Sequence, residues 1–569
     1  MEFGEWCLIT SSQSRIDEYT RQGTWGKTTM HDLLWLQVEV RGEQLAVADQ
    51  PNRSDFTDGQ VQRLSFAQLD AAATCLAVEL LDRGIRSGDT LLVQLPNIAE
   101  LVVVYLAASL IGAIVSPLPV QYGPHELKTA AAAVSPAVVI TVERMKETSL
   151  AATARSALSG AIPVLCFCDQ ADATANLHLA ACADEQARER IRAHHAAHPP
   201  DANAILTICW TSGTTGTPKG VPRSHNMWLA LARTSSEAGQ YRAGDRLLNP
   251  FPMVNMASLG GSVLPFLLHG CTLVLHHPFD AMVFLQQVQD ERITFTLVPP
   301  ALLNQLAKNA ELWNRYDFSA LRRVGSGAAP LSPWMVRTFD EKYGKPIVNF
   351  YGSNEGIALF STPESAPEPE VRALMFPRLG CAGMPWSGIG HQTVRNKVVR
   401  QDTGEEITAP GVSGELLFGG PTVFDGYLGR ANDDVFTAGG WFRTGDLVEI
   451  CGEPPNYYRI VGRCKDIINR GGMKISPAEL DILLEAFPGA AEGAVCGYPD
   501  ETLGERVCAC VVPMAGQVAP QLEEINAFLL DKGVARFKLP ERLLVLEKLP
   551  RNPLGKIQRH ELEQRVSAA

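Results

Sequence analysis

Between Leu206 and Gly220 the sequence reads LTICWTSGTTGTPKG. It sets five hydroxyl side chains (Thr211, Ser212, Thr214, Thr215 and Thr217) among Gly213, Gly216 and Gly220, with a lysine at 219. Glycines let backbone N–H groups converge on one point, and small hydroxyls add donors without bulk. Lys219 adds a mobile positive charge. This is the chemistry of holding an anion, above all the outer phosphates of a nucleotide. A Walker A loop requires G-x-x-x-x-G-K-[ST]; here Pro218 separates Thr217 from Lys219, and Gly220 follows the lysine, so a P-loop NTPase is disfavoured. Other clusters carry less. His194, His195 and His198 share one polar helix, but no carboxylate or cysteine group completes a metal site, and they read as a solvated helix end.

The chain that must position this loop has 569 residues, 46% hydrophobic and 20% charged, too long for one core and too apolar for disorder. Its formal charge is −12 and its pI is about 5.6. No basic block provides a nucleic-acid footprint. The 13 cysteines form two C-x-C pairs (Cys166/Cys168 and Cys508/Cys510) but no C-x-x-C, which argues against zinc or a disulfide framework and fits a reducing compartment. The opening MEFGEWCLITSSQSR has no apolar run, so a cytoplasmic location is expected.

Leu101–Pro124 carries no charged side chain and raises the question of a membrane span. Gly112, Pro117 and Pro119 interrupt it, so it reads as a buried helix running into a buried strand. Upstream, Ser65-Phe66-Ala67-Gln68 is a capping box opening a helix that Gly84 stops. Strands are expected at Thr90–Leu95, near Ala113–Ser116 and at Val138–Val142, with a helix from about Ile98. Repeated β–α–β units with continuous apolar strands imply parallel sheets covered on both faces. From Gln401 to Val461 short strands and glycine turns suggest a β-rich subdomain. After Arg463 a compact α+β tail begins, with Ser476 as N-cap, Pro477 at the first helical position and Glu479 in the first turn. The fold class is therefore α/β: a large N-terminal domain of two parallel-type sheets plus a β-rich subdomain over residues 1–464, and a small α+β domain over 465–569.

TSGTTGTPKG resembles the signature loop of the adenylate-forming superfamily, which includes acyl- and aryl-CoA synthetases, peptide-synthetase adenylation domains and luciferases. Four further segments resemble that family's motifs in its order: Tyr351-Gly-Ser-Asn-Glu355, Trp441-Phe-Arg-Thr-Gly-Asp446, Gly462-Arg-Cys-Lys-Asp466 with Gly471-Gly-Met-Lys-Ile475, and Leu549-Pro-Arg-Asn-Pro-Leu-Gly-Lys556. The resemblance implies activation of a carboxylic acid with ATP, an attack of one anion on another. The site must neutralise both, align them and stabilise departing pyrophosphate.

By this resemblance the loop at 211–219 holds the β- and γ-phosphates, and Glu355 holds Mg²⁺, a hard cation that takes carboxylate oxygens. Asp446 accepts from the ribose hydroxyls, and Arg463 lies near ribose and phosphate. Ser326-Gly327-Ala328-Ala329 runs along the adenine, on which Tyr351 stacks. Asn349, Phe350, Gly352, Ser353 and Asn354 complete the nucleotide wall. Lys556 reaches both the carboxylate and the α-phosphate. Lys556, Lys219, Glu355 and Arg463 are thus the expected catalytic groups. Asn255, Met256, Ser326 and Gly352 border the acyl pocket, Gly471 and Gly472 line a pantetheine tunnel, and Lys465 is the hinge about which the small domain turns between half-reactions.

Two positions depart from the family pattern: Asn354 stands for a threonine, where its amide can donate to a phosphate oxygen, and Asn255 stands for a histidine. His225, after the phosphate loop, reads as a structural hydrogen-bonding residue. Amino-acid-activating members anchor the substrate ammonium with an aspartate near Asn255-Met256; no carboxylate lies in Phe251–Gly261, so an aryl, alicyclic or medium-chain acid is preferred. No carrier domain follows Lys556. The expected acceptor is CoA, with the phosphopantetheine of a stand-alone carrier protein or an amine as alternatives, and the enzyme is expected as a monomer or homodimer. Two other classes remain: a catalytically silent nucleotide-binding protein, disfavoured because Lys219, Glu355, Asp446, Arg463 and Lys556 are all present, and a kinase or P-loop ATPase. Release of AMP and pyrophosphate instead of ADP separates the latter.

Overall fold

In the first half of the chain apolar strands mostly alternate with helices, and the computed structural model arranges them into two mainly parallel sheets. It describes residues 8–167, 176–179, 183–211, 218–327, 331–429, 434–471, 473–514, 516–552 and 556–568. One sheet runs, in spatial order, Ala358–Ser361, Ile347–Gly352, Arg323–Gly327, Phe295–Leu297, Arg246–Asn249, Thr272–Leu275, Leu45–Ala48 and Arg63–Ser65, parallel except for its two edge strands. The other runs Lys219–Ser224, Ile205–Thr211, Ile114–Pro117, Thr90–Gln94, Val138–Val142, Val164–Phe167 and Asn176–Leu177, with only the first pair antiparallel. One large apolar core joins them, from Met30 to Phe360.

Local signals in this half act as the sequence suggests. Ser65 Oγ accepts from Gln68 N at 3.2 Å and Gln68 Oε1 from Ser65 N at 2.9 Å, opening helix Phe66–Asp82. Ala99–Ile111 is a helix buried on every side, closed by Gly112 at φ 70° and followed by strand Ile114–Pro117. Among the described residues no helix is long and apolar enough to cross a membrane. At its start the buried guanidinium of Arg53 donates to Asp49 at 2.7 Å and to both oxygens of Glu100 at 2.6 and 2.9 Å. Burial pushes both carboxyls up, and Arg53 holds them down. Arg53→Met leaves two buried carboxylates facing each other and is expected to cost about 3–5 kcal/mol, read from urea unfolding; a loss under about 1 kcal/mol would show that the cluster contributes no more than a surface pair.

Three local expectations change. The β-rich subdomain is a six-stranded antiparallel sheet that starts before Gln401, since Met375–Pro377 and Arg395–Val399 belong to it. The helix Glu185–Ala197 ends exposed at Ala196 and Ala197, but His194 and His195 are half-buried and donate to the carbonyls of Ile111 and Leu110 at 3.1 and 2.7 Å, filling acceptors that the buried helix leaves open at its C-terminus. Ser476 does not cap helix Pro477–Leu484; its Oγ is buried without a partner. Glu479 pairs instead with Lys538.

Beyond Lys465 the strands Met473–Ile475, Ile468–Arg470, Gly504–Pro513, Ala490–Asp500 and Arg542–Val545 form a separate sheet with its own cores. The terminal helix Arg559–Ala568 is pinned to it by Arg559, which pairs with Asp481 and donates to the Val495 carbonyl.

Candidate active site

The expected phosphate loop lies between two antiparallel strands. Strand Ile205–Thr211 pairs antiparallel with Lys219–Ser224, Thr211 facing Lys219. This differs from the strand–loop–helix of a P-loop, in which a helix N-terminus meets the phosphates. Ser212, Gly213, Thr214, Thr215 and Gly216 lie outside the described residues, as do Ala328, Ala329 and Gly472.

Alternation along Ile347–Gly352 sorts the next group. Phe350 turns to the large core, meeting Phe360 edge-on at 4.9 Å. Asn349 is buried and donates to the carbonyls of Arg372 and Ala373 at 3.1 and 2.9 Å, so its amide braces the strand. Tyr351 points toward the six-stranded sheet, where its ring lies 5.6 Å from Phe376 and its hydroxyl donates to Asp446. Gly352 is glycine for a steric reason: a Cβ there would sit 2.7 Å from the Ile357 carbonyl oxygen, besides meeting the movable Met256 Cε at 2.0 Å. Met256 therefore lies directly over the strand at the expected acyl pocket. Asn255 caps the short helix beside it, accepting from Ser258 N at 3.2 Å. Ser326 is not on this surface, because its buried hydroxyl donates to the Val298 carbonyl at 2.8 Å. Gly327 permits close strand packing, since a Cβ would sit 2.0 Å from the Phe350 carbonyl oxygen.

Asn354 has partners on two segments. Its Nδ2 donates to the Trp210 carbonyl at 3.1 Å and its Oδ1 accepts from Met256 N at 2.8 Å. The side chain ties Trp210 to Met256 with one of its two amide N–H groups and its oxygen. Neighbouring polar atoms remain open. Among the described residues Ser353 Oγ is buried without a partner, and of the two oxygens of Glu355 only Oε1 is bonded, by the Tyr427 hydroxyl at 2.7 Å. Glu355 is 8% exposed. A carboxylate with one fixed and one open oxygen suits a hard divalent cation.

Asp446 and Arg463 face each other across the pair of strands Phe442–Cys451 and Tyr457–Arg463, with Arg463 Nε 2.9 Å from Asp446 Oδ1. Burial pushes the Asp446 carboxyl up, while Arg463, Tyr351 and Lys556 pull it down. Lys556 stands on a tight turn in which its N–H donates to Asn552 Oδ1 at 3.0 Å and Asn552 N donates back to its carbonyl at 2.9 Å. Lys556 is exposed, and its ammonium is in electrostatic range of Arg463, Asp446 and Glu355. Desolvation lowers its pKa first and Arg463 adds to that, whereas Asp446 and Glu355 oppose. Residues from four separate segments, 355, 446, 463 and 556, thus share one electrostatic neighbourhood.

His225 is structural here: Nδ1 accepts from Met30 N at 3.1 Å, and burial pushes its pKa down to about 3. Lys465 is exposed on the turn between Tyr457–Arg463 and Ile468–Arg470, where the chain leaves one sheet for another. Gly471, at φ 57°, turns the hairpin after Ile468–Arg470 and donates to the Leu503 carbonyl at 2.7 Å. Two residues had no local sequence signal. Tyr427 bonds Glu355, and the ammonium of Lys219 lies 4.6 Å from its ring centroid. Arg223, fully buried, donates to the carbonyls of Asn354, Met227 and Thr422 at 3.2, 3.2 and 2.7 Å, which joins three site segments.

A family model described as AMP-binding enzyme matches residues 43–428, and one described as AMP-binding enzyme C-terminal domain matches 479–556. A salicylyl-CoA synthase / salicylate adenylyltransferase of Streptomyces sp is 31% identical over 559 residues, 97% of this chain and 96% of that protein. The medium-chain fatty-acid–CoA ligase of Escherichia coli K12 is 31% identical over 573 residues, covering 98% and 94%. Among solved structures, ATP-bound MatB from Rhodopseudomonas palustris superposes with a TM-score of 0.76 at 25% identity, covering 95% of this chain and 99% of that one.

Proposed function

The chain belongs to the AMP-binding enzyme family, and from that premise we propose that it condenses a non-amino carboxylic acid with ATP to an acyl adenylate and pyrophosphate, then passes the acyl group to the thiol of CoA. What supports the reading is the pairing of Asp446 with Arg463 and Tyr351, with Glu355 and the Lys556 of the C-terminal region in electrostatic range of that cluster. Such a cluster neutralises two anions that must approach each other.

In the first half-reaction Lys219 and the expected phosphate loop take the β- and γ-phosphates. The open oxygen of Glu355 holds Mg²⁺, which when bound neutralises phosphate charge. Asp446, held by Arg463 and Tyr351, presents its remaining lone pairs to the ribose. Lys556 places its ammonium between the substrate carboxylate and the α-phosphate. The attacking oxygen forms a bond to the α-phosphorus as the bond to pyrophosphate breaks. Closure around the mixed anhydride keeps water from it.

Met256 lies against Gly352, Phe251 and Phe350 pack on the large core, and the segment Phe251–Gly261 carries no carboxylate to take an ammonium, which supports an acid without an amino group. Both relatives named above act on acids without an amino group, an aryl acid in one and a fatty acid in the other. CoA is the favoured acceptor on the names of those relatives; a carrier-protein phosphopantetheine is the second reading. We place the domain boundary at Lys465, with residues 1–464 fixed and 465–569 mobile, and Gly471 and Gly472 at the thiol tunnel.

Acid-dependent ATP–pyrophosphate exchange over a panel of aryl, alicyclic and medium-chain acids, followed by mass spectrometry with CoA or a carrier protein added, tests the reading. Production of ADP, or exchange with no acid at all, overturns it. Lys465→Pro restricts the turn and is expected to slow thioester formation by about tenfold more than adenylation, measured on the two half-reactions separately; equal loss in both would place the hinge elsewhere.

A further inference from the structure

The segment Phe424–Leu428 is stitched to both halves of the phosphate site. Phe424 N donates to the Glu355 carbonyl at 2.9 Å, and Leu428 N to the Gly220 carbonyl at 3.0 Å, one residue past Lys219. Next to them Asp425 is clamped by Arg15 and by the hydroxyls of Thr10 and Ser11 at 3.0 and 2.6 Å. Arg15 also donates to the Gly420 carbonyl at 3.2 Å, and Trp25 Nε1 to the Pro421 carbonyl at 3.1 Å. These N-terminal residues precede the part of the chain that the family model matches. Tyr427 is thereby held from both flanks. Its hydroxyl meets Glu355 Oε1 at 2.7 Å while its ring face takes the Lys219 ammonium.

We propose that Tyr427 is a positioning residue for the metal–nucleotide complex, fixing the Glu355 carboxylate and the Lys219 ammonium on one wall. The inference rests on the adenylate-forming reading given above. The phenol is neutral, so it orients both charges and cancels neither. A hydroxyl donor fixes one carboxylate oxygen and leaves the negative charge in place for a cation at the other. The quadrupole of the ring attracts the ammonium without a counter-charge. A carboxylate in the same place would pair with Lys219 and repel Glu355.

Tyr427→Phe keeps the ring and removes the hydroxyl. With the full-length enzyme and ATP present, Mn²⁺ binding followed by the free-ion EPR signal is expected to weaken about fivefold, and the Mg²⁺ dependence of pyrophosphate exchange should shift equally. Tyr427→Leu removes both contacts, and the KM for ATP should rise as well. In Tyr427→Phe, which keeps the ring packed on Phe424, thioester formation from supplied acyl adenylate and the thermal midpoint should stay near wild type. Unchanged Mn²⁺ binding in Tyr427→Phe overturns the proposal, as does a loss shared equally by both half-reactions with a lowered midpoint. A wild-type enzyme that forms no AMP with any acid overturns the functional reading instead.

Discussion

Lys556→Ala is expected to reduce acid-dependent ATP–pyrophosphate exchange by about a hundred- to thousandfold while thioester formation from supplied acyl adenylate stays within about threefold. The asymmetry follows from geometry. The ammonium arrives on a turn closed by Asn552, ahead of a helix that Arg559 anchors to the C-terminal sheet, so removing it should leave the fold of either domain intact. Its charge matters where negative charge meets negative charge, and the second half-reaction has no such encounter. The pH profile provides an independent check. Desolvation and Arg463 lower the Lys556 pKa, so the protonated form is lost at lower pH than for an ordinary lysine. Adenylation should therefore fall on an alkaline limb below the usual lysine range. Lys556→Arg, which keeps a charge at all accessible pH, should abolish that limb even if its rate is low. Exchange unchanged in Lys556→Ala would remove the lysine from the chemistry.

The second large effect is expected from Glu355→Gln. The amide keeps the shape, and its oxygen can still accept from Tyr427, but it presents no charge to a divalent cation. Exchange at saturating ATP should drop about a hundredfold, with a steep rise in the Mg²⁺ needed. Asp446→Asn, by contrast, should act mainly through the KM for ATP, because that carboxylate, held by Tyr351 and Arg463, is the one proposed to accept from the ribose. Arg223 bears on the choice of substitution. Burial pushes its pKa down to about 10, and Glu355 is among the charges that oppose this. Loss of the carboxylate charge could therefore disturb the carbonyl network around Arg223, so the thermal midpoint must be measured alongside. A Glu355→Gln enzyme with wild-type Mg²⁺ dependence would exclude Glu355 as the metal ligand.

Where interactions are local, sequence reading and structure agree closely. The capping box at Ser65 and Gln68 closes within one turn, and the strand at Val138–Val142 has the boundaries that its apolar run indicates. Ser476 shows the limit of such rules, since a residue with the right type and spacing lost its capping role to packing against Gly462, where a Cβ would lie 2.8 Å from its Oγ. His194 and His195 likewise found partners on a helix more than eighty residues earlier in the chain. Asn349 and Ser326 carry polar side chains in motif segments, yet each is consumed by a neighbouring carbonyl. Motif membership identifies the segment, and strand alternation decides which side chains reach the cleft.

By itself the sequence determined the family, because five ordered segments resemble that family's motifs, and the family is what implied the reaction class. It also determined the alternating architecture, which depends on apolar periodicity that local backbone geometry enforces. Only the tertiary structure decided how those charges are held. Tyr427, Arg223 and Asn354 act by joining segments distant in the chain, and a hydrogen bond or a ring contact across such a gap leaves no periodic trace in the residues that make it. Local pattern records what a residue offers; burial and long-range packing select the partner that accepts it.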